Sequence, residues 1–116
     1  MSYEVHLTEP FEADVARLFD WLFGFNSRAA FRFRDVVEAE ALSLSDFPQR
    51  YATADETELY LRPVRRKLFK SGNATYRVLF TVYEAGELGV DSLPIVHCLR
   101  VLHGAAKPWT QTDGQS

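Results

Sequence analysis

The sequence predicts an α+β domain, ordered β-α-α-β-β-β, with a helical hairpin packed on a mainly antiparallel four-stranded sheet. Three observations lead there. Residues 9–47 hold two consecutive stretches with apolar residues at helical spacing, joined by two or three residues. Residues 3–7 and 64–103 hold alternating or branched apolar runs. Between two of these runs stands Gly72-Asn73, a hairpin signal.

In "YEVHLT", Tyr3, Val5 and Leu7 alternate with Glu4 and His6, the pattern of a strand with one buried face. Thr8 can cap the helix that follows, and Pro10 suits its first turn because the missing N–H has no partner there. Phe11, Val15, Leu18, Leu22 and Phe25 form the inner stripe, widened by Phe19, and Gly24 and Asn26 supply the stop. Ser27 can cap the second helix, whose stripe is Ala30, Phe33, Val37, Ala41 and Leu44, with Arg32, Arg34, Asp35 and Glu38 nearer water. Asp46-Phe47-Pro48 ends it, since a residue before proline is pushed from the helical region. The acidic "QRYATADETELY" reads as a loop. Two alternating strands around Gly72-Asn73 follow, then "IVHCLRVLH", branched enough for a central strand. Residues 1–109 read as one domain and residues 110–116 as a flexible tail without an apolar anchor.

Composition narrows the function. At 116 residues, 47% hydrophobic and 25% charged, the chain suits one globular domain, and nine phenylalanines supply core material. A net charge of −3 argues against coating nucleic acid through the overall field. The single cysteine, Cys98, allows no intrachain disulfide and fits a reducing cytoplasm. No apolar run approaches the ~18 residues of a membrane span.

Against that acidic background "RPVRRKLFKSGNATYRVLF" concentrates positive charge. On the strand pattern Arg65, Lys67 and Arg77 can share one face across the hairpin, a local phosphate- or partner-facing surface. The structural alternative is a sheet face whose cations pair with carboxylates of the acidic loop. His103, at the end of the last strand, is the acid–base candidate of the region, with an ordinary pKa near 6.5. A histidine there also serves as a structural hydrogen-bonding residue. His6, His97 and Cys98 read as structural, and no His or Cys pair has compact metal-ligand spacing. Neither metal nor cofactor is expected.

The element order, with "YEVHLTEPFEADVARL", "VRRKLFKSGNATYRVLFTV" and "VLHGAAKPW", resembles the RelE/ParE toxin superfamily of type II toxin–antitoxin (plasmid stabilisation) systems. Tyr76-Arg77 and His103-Gly104 are its most specific pieces. The resemblance implies a small cytoplasmic growth-inhibiting toxin, neutralised by an antitoxin encoded beside it. RelE-like members cut messenger RNA on the ribosome with basic side chains and no metal, and ParE-like members inhibit DNA gyrase. The basic positions Arg65, Lys67 and Arg77 match the RelE-like set. The segment Gly104-Ala105-Ala106-Lys107 departs from it: alanine stands where an arginine follows the glycine, and Lys107 is a point charge without a bidentate fork. Beyond Trp109 no Tyr or His follows.

The reading taken from these residues is a ParE-like toxin that inhibits gyrase by binding, with Arg65, Lys67, Arg77, His103 and Lys107 as its candidate basic surface. A metal-free, ribosome-dependent endoribonuclease is the alternative, and a degenerate antitoxin-binding protein without toxicity the second. An apolar groove between the helical hairpin and a sheet edge is expected to receive an amphipathic, acidic antitoxin segment.

Overall fold

The computed structural model describes residues 2–104. Lys107, the expected domain end at residue 109 and the expected tail lie outside the described residues. The elements run β1 (Glu4–Leu7), α1 (Glu9–Phe23), α2 (Ser27–Leu42), β2 (Arg65–Ser71), β3 (Ala74–Tyr83) and β4 (Ile95–His103), with short 3₁₀ turns between α2 and β2. The predicted order and α+β class hold. The sheet order is β1-β4-β3-β2, with β1 parallel to β4 and the other two pairs antiparallel.

Local chemistry explains the helix ends. Thr8 is extended and its side chain accepts the N–H of Phe11, while Glu9 and Glu12 suit the positive end of the α1 dipole. For α2 the cap is Asn26, one residue earlier than the expected Ser27: its Oδ1 accepts from the N–H groups of Arg28 and Ala29 at 3.0 and 3.2 Å. Asn26 therefore both stops the first helix and starts the second, and Ser27 becomes the first helical residue. Phe25, expected on the inner stripe, lies beyond the last turn and is 75% exposed. Between β2 and β3 the turn residue Gly72 takes φ +61°, a left-handed conformation that favours glycine.

The helices cover one face of the sheet. Phe11 of α1 and Phe33, Val37 and Ala41 of α2 pack against Phe69, Tyr76, Val78, Phe80, Val96 and Val101. Residues 51–64, expected only as an acidic loop, close over part of the opposite face and build a second core of Ala54, Val64 and Leu79. Thr57 pins this segment by exchanging 3.0 Å bonds with the backbone of Val64. One irregularity matters for the packing. Leu79 faces Arg100 but Phe80 faces Cys98, so β4 carries an extra residue there, a β-bulge. Past the end of β1, the buried Asp14 of α1 accepts the Val101 N–H at 3.1 Å and both Nε and Nη2 of Arg100 at 2.6 and 2.9 Å. This bidentate contact fastens α1 to the central strand.

Candidate functional site

Directly opposed residues of an antiparallel pair share a face. The register sets Arg65 against Phe80, Lys67 against Val78 and Arg77 against Leu68. Phe80 and Val78 belong to the core beneath the helices. Arg65 and Lys67 consequently lie on the helix face and Arg77 on the opposite one, so the expectation of one shared basic face is overturned.

Each of the three is also engaged. The Lys67 ammonium donates to Glu40 Oε2 at 2.9 Å and to Ser43 Oγ at 2.5 Å, both beside the end of α2. Arg65 Nη1 donates to the Tyr51 carbonyl at 2.7 Å. Arg77 Nη1 meets Glu56 Oε2 at 2.9 Å, with the two side chains 9% and 0% exposed. The alternative in which the loop's carboxylates absorb the hairpin cations fits Arg77 well. The sequence does not single out Glu56 among the acids of "ADETEL"; only its burial does.

His103 ends β4 opposite Tyr76, its ring against the tyrosine at 5.4 Å between centroids. It shares the helix face with Lys67, but buried Phe69, Tyr76 and Val78 stand between their positions. Arg77 and His103 are thus brought to neighbouring strands on opposite faces. The hairpin cations exposed to water are Arg66 and Lys70, which share the outer side of β2 with an exposed Leu68.

Other titratable groups have structural explanations. The His97 ring stacks on His6 at 5.7 Å and tilts against Tyr83 at 4.9 Å. Burial, then the nearby His6 and Arg62 charges, hold its pKa below the usual imidazole value. Burial pushes the Cys98 thiol up to about 12, which removes it as a nucleophile near neutrality. Among the described residues no cluster of three or more His, Cys, Asp or Glu side chains could hold a metal ion. Also among them, no helix is long and apolar enough to cross a membrane.

A concave region does exist elsewhere. A groove of about 590 Å³ runs between the helical hairpin, at Trp21, Leu22, Ala29 and Arg32, and the β2–β3 turn, with His103 and Tyr76 along its wall. Among the described residues, His103 is the one expected site residue that lines it.

The architecture defines a class: a small α+β protein with a helical hairpin on one sheet face and two of its hairpin cations, Lys67 and Arg77, held in ion pairs on opposite faces. Residues 5–108 match the family of the ParE toxin of type II toxin–antitoxin systems, parDE, and the chain belongs to that family. Membership brings with it an antitoxin partner. No curated protein matches the chain.

Proposed function

We propose that this ParE-family toxin acts by binding DNA gyrase and not by cutting RNA, with residues 1–109 as one cytoplasmic toxin domain. The observation that carries the reading is the division of the basic residues. Metal-free RNA cleavage needs a base for the 2′-OH, cations aimed at the developing phosphorane charge and an acid for the leaving oxygen. Here Arg77 is tied to buried Glu56 on one face, while Lys67 is tied to Glu40 on the other. A phosphate reaching one of these cations is on the wrong side of the sheet for the other. Binding a protein target makes no such demand. The basic positions shared with nuclease relatives then serve the fold.

A supercoiling assay with purified gyrase tests this. Inhibition at stoichiometric excess of toxin, with no new cleavage sites in translated messages by primer extension, is the expected result. A-site cuts made by the wild-type protein, with gyrase unaffected, would replace this reading by the nuclease one. Absence of growth arrest on expression without antitoxin would indicate a non-toxic relic.

A further inference from the structure

The two ends of the molecule carry opposite charge, and both expose apolar side chains. At one end is the tip of the helical hairpin, where Trp21 and Phe25 pack edge-to-face at 4.9 Å between centroids, each more than half exposed. The β2–β3 turn lies beside this tip, since Trp21 and Arg32 line the same groove as Gly72 and Asn73. At the other end the connection between β3 and β4, residues 84–94, presents Leu88, Val90 and Leu93, again each more than half exposed. The ten residues of β3 hold the two ends about 30 Å apart.

The connection is built to keep its shape. The Gly86 N–H donates to the Ser92 carbonyl and the Ser92 N–H to the Gly89 carbonyl, both at 3.0 Å. Ser92 Oγ accepts the Leu88 N–H at 3.2 Å and donates to the Gly89 carbonyl at 2.9 Å. The loop meets its polar needs internally while three aliphatic side chains face water, so docking on it costs little ordering. Apolar residues scattered singly on a surface are ordinary, whereas three within six residues of one ordered loop mark an interaction site. Charge divides the ends. From residue 17 to residue 35 the chain carries four arginines against two aspartates, and residues 84–94 carry Glu84, Glu87 and Asp91 with no Lys, Arg or His. Among the described residues no carboxylate pairs with Arg28 or Arg32, and no cation pairs with Glu84 or Asp91. Glu84 accepts from the neutral Tyr3 hydroxyl and Gln49 amide, which leaves its charge in place.

We propose that these two surfaces are each other's partners: the β3–β4 loop of one molecule docks on the hairpin tip of a second copy. Leu88 and Val90 cover Trp21 and Phe25, and Glu84 and Asp91 approach Arg28 and Arg32. Opposite charge on apolar ground is what each end needs from the other. A two-fold contact through the tip would instead set arginines against arginines, and one through the loop carboxylates against carboxylates. The contact is therefore heterologous, and because each molecule keeps one unused end, association continues past the dimer. The proposal is independent of whether the target is gyrase or RNA.

Sedimentation velocity of the purified chain, from micromolar to millimolar concentration and at several salt concentrations, tests this. Wild type should grow beyond a dimer as concentration rises, and added salt should weaken the growth. Trp21→Ser and the double variant Leu88→Ser/Val90→Ser should each weaken self-association at least ~10-fold with unchanged thermal midpoints. Arg32→Ser replaces Trp21→Ser if the latter shifts its midpoint. The deciding sample is an equimolar mixture of the tip variant and the loop variant. Each lacks a different half of the contact, so one intact junction remains, and the mixture should form a 1:1 dimer that grows no further. Wild type that stays monomeric throughout overturns the proposal. So does a dimer that the loop variant forms as well as wild type does, which would be a two-fold contact through the tip. Loss of gyrase inhibition in the loop variant, with its self-association intact, would give the loop to the target and overturn the proposal too.

Discussion

Consider the replacement Arg77→Leu. In the native fold the Arg77 guanidinium sits 2.9 Å from Glu56, and water scarcely reaches either side chain. At an effective dielectric near 20, that separation corresponds to a gross attraction of roughly 6 kcal/mol. Desolvating two ions offsets much of this, so the intact pair stabilises far less than the gross figure. Removing one partner is a different matter. The carboxylate then stays buried without this cation, and such a change costs about 3–5 kcal/mol. For a chain of 116 residues each kcal/mol lowers the melting midpoint by about 4 °C, so Arg77→Leu should melt at least ~12 °C below wild type. The double variant Arg77→Leu/Glu56→Leu, which removes both charges, should recover most of that loss. Urea or thermal unfolding followed by circular dichroism reads both. A single variant within about 1 kcal/mol of wild type, or a double variant no better than the single, would refute the view that Arg77 serves the fold through Glu56.

Three more outcomes follow from the geometry. Because His97 has a depressed pKa in the fold, the unfolded chain binds its proton first as pH falls through about 6.5. Stability is therefore present above that pH and declines below it, and His97→Gln should flatten the urea-midpoint profile between pH 7 and 5. Cys98 is buried with a thiol pKa near 12, so a thiol reagent at pH 8 should label it only under denaturing conditions. Asn26→Ala should cost about 1 kcal/mol of unfolding free energy through loss of the α2 cap, whereas Ser27→Ala should cost much less.

The elements were legible where one periodicity dominates. In α2, Ala30, Phe33, Val37 and Ala41 admit a single helical face, and all four are buried. The strand β2 is different. Leu68 and Phe69 place apolar side chains on both parities, so alternation within "RRKLFK" does not say which side faces the helices. Packing decides: Phe69 enters the core against Tyr76 and Leu68 is left 57% exposed. That choice carries Lys67 inward with Phe69, and the two-residue turn at Gly72-Asn73 then sets Arg77 opposite Leu68. A one-step ambiguity in one short strand was enough to put the basic residues on a common face in sequence and on two faces in space. The Glu56 partner was illegible for another reason. It comes from a segment without periodicity, whose position depends on the second core it closes. The exposure of Trp21 and Phe23 was partly visible, since the first helix is apolar beyond one stripe, but the groove lined by Trp21 and Arg32 needs the turn of a hairpin some 40 residues further along the chain.

The pairing of Glu4–Leu7 with Ile95–Cys98 has a consequence for how the molecule comes into being. Among the described strands, the one that occupies an inner place in the sheet, touching both the first strand and the longest one, is the last in the sequence. A nascent polypeptide halted anywhere before residue 95 has neither a place for its opening strand nor a complete floor beneath its helices. Long-range closure of this kind is slow compared with helix formation. The helical hairpin is therefore made well before its floor is complete, and the sheet can close only once residues 95–103 are available.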